Sequence, residues 1–225
     1  DEAGVAPGSR VLEIGTGWGE LAIRAAARGA EVVSITLSAE QQQLARERVS
    51  AAGLSDRVDI RLQDYRDVAG EFDAIVSIEM IEAVGEEFWP DYFRAIDRLL
   101  APGGRAVIQA ILMDHQRLLA TRHSHGWIQE YIFPGGLIPS LRAIDLVTGT
   151  HTHLRRRATF SFGPHYAETL RRWRERFLAT YDAIAGPGFD DQFKRRWEFY
   201  LAYCEAGFAA GYLDVAQLTF GKDQS

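Results

Sequence analysis

Along the first 113 residues, apolar and polar positions switch repeatedly between two spacings. Short apolar runs rich in Val and Ile fall at residues 11–14, 31–36, 58–62 and 74–78, bounded by Gly, Pro, Asp or Ser, and predict strands. Between them, longer stretches place apolar side chains three and four residues apart and predict helices with one buried face. One such helix follows the first strand to about residue 28. A second is capped by Ser38 and runs to about residue 52, because a serine oxygen satisfies the free N–H groups of a first turn. A third covers residues 86–100 and stops at Pro102-Gly103-Gly104, before a strand over 105–111. Strand–helix alternation at this spacing predicts an α/β fold with a doubly wound, mostly parallel sheet and helices on both faces.

The rhythm breaks between residues 114 and 140. This stretch holds Trp127-Ile128-Gln129-Glu130-Tyr131-Ile132-Phe133-Pro134-Gly135-Gly136. A long aromatic, glycine-rich excursion after a strand's carboxyl end belongs to a substrate lid. Helical spacing returns in Tyr166, Leu170, Trp173, Phe177 and Tyr181, and again in Phe193, Trp197, Leu201, Cys204 and Phe208. These two helices, within residues 161–210, are expected to wall a pocket together with the lid. Residues 215–220 predict an antiparallel closing strand. No internal boundary interrupts residues 1–225, which read as one domain. The opening at Asp1, in the lead-in to a strand, predicts a further segment upstream.

Charge adds one feature. Residues 1–150 carry 14 Lys and Arg against 22 Asp and Glu, whereas residues 151–201 carry 10 against 6. An acidic first part followed by a basic stretch suits contact with an anionic lipid surface as well as it suits solvated helix faces. The overall balance of −6 and the lack of groove-reading or base-stacking motifs argue against nucleic acid. A single cysteine, Cys204, leaves no internal disulfide framework and no cysteine-rich zinc site, and fits a cytoplasmic protein. The pairs His123/His125 and His151/His153 lack a neighbouring Cys or acid cluster, so no metal is expected.

The sharpest local signal is Val11-Leu12-Glu13-Ile14-Gly15-Thr16-Gly17-Trp18-Gly19. Glycines let a strand–helix turn approach a ligand closely, and the helix start behind it offers free N–H groups. The third glycine comes one residue too early for a dinucleotide fingerprint. The second strand ends Ser34-Ile35-Thr36, with no acid to hold a ribose. No Gly-Lys-Ser/Thr follows, which excludes a P-loop. An acid two residues before the first glycine, as Glu13 stands to Gly15, resembles S-adenosylmethionine methyltransferases.

Further segments, in order, resemble the cyclopropane-fatty-acid synthase family. They include Ile35-Thr36-Leu37-Ser38-Ala39-Glu40-Gln41, Gln63-Asp64-Tyr65-Arg66-Asp67 and Ser77-Ile78-Glu79-Met80-Ile81-Glu82-Ala83-Val84-Gly85. Later matches are Tyr131 to Gly136, His165-Tyr166-Ala167-Glu168-Thr169-Leu170 and Tyr200 to Phe208. The resemblance implies a seven-stranded, Rossmann-like class I methyltransferase fold with a lid insertion and extra C-terminal helices. It implies S-adenosylmethionine held by Glu13, Gly15, Gly17, Trp18, Thr36, Leu37 and Gln41, with Asp64, Tyr65 and Arg66 flanking the adenine. It also implies a bicarbonate ion beside the reacting methyl, held by Glu82 and Tyr166, with Cys204 near the same pocket. Where that family has histidines, this chain has Ala83 and Gln109. Gln109 can donate a hydrogen bond but carries no charge.

The reaction so implied is methyl transfer to the cis double bond of an unsaturated acyl chain, on a phospholipid at the inner membrane face, closing to a cyclopropane. Alternatives are a methylene or methyl-branched acyl product, the latter needing a reductase partner, and a non-catalytic S-adenosylmethionine-binding subunit. A homodimer is compatible with either. No stretch of about 18 apolar residues is present to span a bilayer.

Overall fold

The computed structural model describes residues 1–222. Its strands are β1 (Arg10–Ile14), β2 (Glu31–Thr36), β3 (Val58–Leu62), β4 (Phe72–Ile78), β5 (Leu100–Met113), β6 (Leu154–Ser161) and β7 (Leu213–Lys222). Its helices are α1 (Glu20–Ala27), α2 (Ala39–Ala51), α3 (Ile81–Val84), α4 (Trp89–Leu99), α5 (His115–Thr121), α6 (Trp127–Tyr131), α7 (Leu141–His151), α8 (Gly163–Thr180) and α9 (Asp191–Ala209). All seven strands form one sheet in the order β3-β2-β1-β4-β5-β7-β6. β1 to β5 run parallel, and β7 lies antiparallel between β5 and β6. The order reverses between β1 and β4, so the carboxyl ends of β1, β2 and β4 open the crevice in which such sheets take ligands.

Two cores cover the sheet. On one face Trp89, Tyr92, Phe93, Ile96 and Leu99 of α4 and Ile144 of α7 pack on Leu12, Ile14, Ile75 and Ile108. On the other, Ala22, Ala25 and Ala26 of α1 and Ala45 and Val49 of α2 meet Val11, Val32, Ala74 and Val76. The small side chains bring these helices close to the strands. α8 and α9 pair over β7 around Leu170, Leu201, Phe208 and Val215. Side-chain caps fix the helix starts: Ser38 accepts from Gln41 N, Ser140 from Ala143 N, and Asp190 from Phe193 N.

The expected seven-stranded, mostly parallel sheet is present, with three local differences. The helix expected over 86–100 is divided: Gly85 (φ +89°) and a 3₁₀ turn precede α4, and Pro90 occupies its first turn, where the missing N–H costs nothing. β5 starts at Leu100 rather than 105, because Leu100 already pairs with Phe72 across an irregularity. α7 and β6 carried no clear pattern. β6 reads LRRRATFS and buries only Leu154, so its ladder comes from β7 rather than from apolar alternation.

One buried polar link sits inside the larger core. The Tyr92 hydroxyl donates to Ser77 Oγ at 2.7 Å, and Ser77 Oγ donates to the Ile14 carbonyl at 3.1 Å. It fastens α4 to the ends of β4 and β1. Tyr92→Phe removes one donor and leaves a buried hydroxyl short of a partner. The expected cost is about 1–2 kcal/mol, read as a lower urea midpoint at an unchanged m-value.

Candidate active site

The β1–α1 turn is built on backbone that only glycine adopts easily. Gly15, Gly17 and Gly19 have φ of +96°, +51° and +81°. Gly15 N and Thr16 N both donate to the Ile35 carbonyl at 3.0 Å, which ties the turn to the end of β2. A side chain at Gly15 would lie 2.6 Å from Met80 Sδ, whereas nothing stands within 4 Å of one at Gly17. The turn is therefore backed by the residues after β4 and open at Gly17.

Glu13 lies beneath it, 3% exposed, accepting from the Ser34 hydroxyl, which also bonds Thr16 Oγ1 at 2.7 Å. Its carboxylate thus braces β1 against β2 and the turn, rather than standing open to a ligand. Burial pushes its pKa up to about 7, against a smaller opposing effect of Ser34.

At the end of β2, Thr36 Oγ1 donates to Gln41 Oε1 at 2.7 Å and accepts from Ser38 N at 3.1 Å. Thr36 and Gln41 are thereby joined, and the Gln41 amide N–H₂ is left to serve as donor. Trp18 and Leu37 are exposed apolar side chains at the rims of these two turns. Beyond β3, Asp64 caps a 3₁₀ turn and pairs with Arg66 at 2.7 Å, and the half-buried Tyr65 ring meets Tyr92 edge-on at 5.6 Å. The parallel pairing of β1, β2 and β3 brings these three turns to the same edge of the sheet.

Next to this crevice lies a cluster centred on a residue that sequence reasoning passed over. Glu79, directly after β4, has φ +53° and is the only non-glycine residue with positive φ among the described residues. Such backbone costs an ordinary residue about 1–3 kcal/mol. Glu79 N donates to the Gln109 carbonyl at 2.8 Å, and Gln109 Nε2 donates to Glu79 Oε1 at 2.9 Å. The Tyr166 hydroxyl of α8 reaches both Glu79 oxygens at 2.9 Å. Tyr166 therefore donates its proton to Glu79.

Glu82, one turn on, accepts from Ile111 N at 2.6 Å through Oε1, while its buried Oε2 has no hydrogen-bond partner. Burial chiefly, and then the charge of Glu79, push its pKa up to about 7, although the backbone N–H bonds oppose this. Burial and the same two carboxylates push the Tyr166 phenol well above its usual range. Cys204 hydrogen-bonds Tyr200, and burial pushes its thiol up to about 11, which favours the neutral form.

The aromatic stretch after β5 folds over this cluster. Leu137 N donates to the Glu82 carbonyl at 2.8 Å, and Phe133 meets Tyr200 at 5.9 Å. Trp127 of α6 meets Phe199 of α9 edge-on at 4.6 Å. Between these helices runs an open groove of about 520 Å³, lined by Trp127, Tyr131, Arg195, Arg196 and Phe199. Each histidine pair lies elsewhere: His125 pairs with Glu130 and His153 with Asp97. No cluster of three or more metal-ligating side chains occurs among the described residues, and no helix there is long and apolar enough to cross a membrane.

The sheet order and the glycine turn define a class I, S-adenosylmethionine-dependent methyltransferase fold. Residues 1–218 match the family model of mycolic acid cyclopropane synthetases, and the chain belongs to that family. It is 64% identical over 223 residues to the tuberculostearic acid methyltransferase UfaA1 of Mycobacterium tuberculosis, covering 99% of this chain and 52% of the relative. It is 40% identical over 217 residues to the cyclopropane-fatty-acyl-phospholipid synthase of Escherichia coli K12, covering 96% and 54%. The chain thus spans about half the length of these curated relatives. Among solved structures, that of mycolic acid cyclopropane synthase CmaA1 complexed with SAH and CTAB superposes with a TM-score of 0.85 at 27% identity, covering 98% of this chain and 80% of that one.

The buried Glu13 gives a pH test of this construction. Its folded pKa is raised from 4.5 to about 7, so its contribution to stability is complete below pH 4.5 and is lost as pH rises through about 7. Glu13→Gln keeps an acceptor for Ser34 and does not titrate. The variant is expected to match the wild type near pH 4.5 and exceed it by roughly 3 kcal/mol above pH 7, at about 1.4 kcal/mol per unit. Urea unfolding across this range measures the difference.

Proposed function

We propose that this chain methylates the double bond of an unsaturated fatty acyl chain with S-adenosylmethionine, and that its product class is the methylene or methyl-branched acyl chain. The observation that carries this reading is the half-buried Glu79–Gln109–Tyr166–Glu82 cluster, packed beside the glycine turn through Met80 and under an aromatic lid. The branched product is favoured over the cyclopropane by the 64% identical relative, whose named acid, tuberculostearic acid, is methyl-branched. The absence of histidine at Ala83 and Gln109 supports the same choice.

The residues present fit S-adenosylmethionine. The open backbone at Gly17 suits the methionine end, the joined Thr36 and Gln41 suit the ribose in place of an acid, and Tyr65, with Asp64 and Arg66, suits the adenine edge. Trp18 and Leu37 supply apolar cover. When bound, this cofactor brings an electrophilic methyl group. The protein's own part is to exclude water, to aim the alkene and to collect a proton. An alkene is a weak nucleophile, so positioning supplies most of what the site can contribute. The Tyr166 ring, 4.9 Å from Phe208, and the neighbouring Tyr200 suit the stabilisation of a cationic carbon by aromatic rings.

Residues 114–140 and 161–210 form the lid and the acyl-chain pocket in this reading, since their aromatic side chains interlock. The groove lined by Trp127, Tyr131, Arg195, Arg196 and Phe199 combines rings with guanidinium groups, which suits an acyl chain carrying an anionic phospholipid headgroup. The substrate would then be met at a membrane surface.

Incubation of the full-length protein with labelled S-adenosylmethionine and unsaturated phospholipid tests the product. Proton NMR is expected to show methylene signals and none of the strongly shielded cyclopropane protons; shielded protons would restore the ring as product. The pKa of Glu82, about 7, predicts a second result. Turnover rises with pH through about 7 as Glu82 ionises and can accept a proton. Glu82→Gln removes that limb and lowers turnover by about 100-fold, with S-adenosylmethionine affinity within a few fold by calorimetry.

A further inference from the structure

The polar groups around Glu79 belong to a row that crosses the sheet. β4, β5, β7 and β6 place Ile78, Gln109, Gln217 and Phe160 directly opposite one another, so these side chains share one face. Gln217 Nε2 donates to Gln109 Oε1 at 3.3 Å, and Gln109 Nε2 donates to Glu79 Oε1 at 2.9 Å. Two amides in succession thus point their donors the same way, toward the acid that Tyr166 holds from α8.

Gln217 is half-buried, and two residues before it on the same face of β7, Val215 is fully buried in the cluster of Leu170, Leu201 and Phe208. What a glutamine adds at this place in the sheet is a donor. An amide has two ends of nearly the same shape, one accepting and one donating. Only the donating end suits a carboxylate. A turned Gln109 would set its oxygen against the oxygens of Glu79 and take away one of the two side-chain donors seen there. Gln217 opposes that turn from the far side, by giving the Gln109 oxygen a donor of its own.

We infer that Gln217 is a positioning residue of this site: by donating to Gln109 Oε1 it fixes which end of the Gln109 amide meets Glu79, and so holds that carboxylate in one orientation beside Tyr166. This rests on the reading that the Glu79–Gln109–Tyr166–Glu82 cluster is where the acyl chain reacts. Hydrogen bonds in a row polarise one another, so the same contact makes Gln109 a stronger donor. Gln217 enters no step of the reaction itself. Its loss lowers the fraction of molecules with the amide correctly turned and leaves the turns after β1, β2 and β3, which would hold the cofactor, as they are.

The test uses the full-length protein with unsaturated phospholipid vesicles and S-adenosylmethionine. Gln217→Met keeps the length of the side chain and removes the donor. It is expected to lower kcat about fivefold, the worth of one neutral hydrogen bond, with KM for S-adenosylmethionine and the thermal midpoint near those of the wild type. In a Gln109→Ala background, where no amide remains to be oriented, the same substitution is expected to cost nothing further. Gln217→Lys still donates and is expected to hold kcat above that of Gln217→Met. Gln217→Glu, ionised, offers Gln109 only acceptors and is expected to fall below it. Equal losses from Gln217→Met with and without the Gln109 amide overturn the inference, as do a raised KM at unchanged kcat and normal turnover of Gln109→Ala. Where Gln217→Met does not fold, or Gln109→Ala has no measurable turnover, the order of the lysine and glutamate variants decides, and glutamate equal to or above lysine overturns the inference. A wild type that forms no methylated acyl product overturns the proposed function, and this inference with it.

Discussion

A carboxylate withdrawn from water must be given donors, and at Glu79 those donors come from two separate elements. Gln109 reaches it from β5, and Tyr166 from α8. Net hydrogen bonds to charged groups are worth about 1.5–3 kcal/mol each, enough to offset the strain of a left-handed glutamate. The chain between Gln109 and Tyr166 contains the lid segment, α7 and β6, so this contact closes a long loop. It sets where α8 sits over the sheet, and through the α8–α9 pairing it sets the aromatic wall that Tyr200 and Phe208 present. The position of one acid thereby reaches into the shape of the substrate pocket.

The sheet makes that arrangement possible. The reversal between β1 and β4 opens a crevice, and parallel strands deliver their carboxyl ends to it together. The glycine turn, the Thr36–Gln41 pair and the Asp64–Tyr65 turn each follow one such end. β7 then enters antiparallel beside β5, and Gln217 Nε2 donates to Gln109 Oε1 at 3.3 Å. That contact orients the amide so that its N–H₂ side faces Glu79. Burial treats the chain's acids unequally: Glu13 and Glu82 are both pushed up to about 7, but Glu13 has its hydroxyl partner and serves the fold, while Glu82 keeps an oxygen without one.

Much of this was legible in the residues. Strand periodicity, the glycine turn and the Ser38 cap act through local chemistry, and local chemistry is written in adjacent residues. β6 was not legible, because an edge strand with exposed arginines satisfies its backbone through β7 and needs no apolar alternation. α7 was hidden for a related reason: it buries only Ile144 and Thr148, too few positions to mark a face. At the site, Glu82 and Tyr166 stood out through the resemblance, yet their relation did not. Glu79 went unremarked because nothing local marks it; its meaning lies in φ and in partners about 30 and 87 positions away. The one available signal was an acid in the tight segment after β4, three residues before another acid.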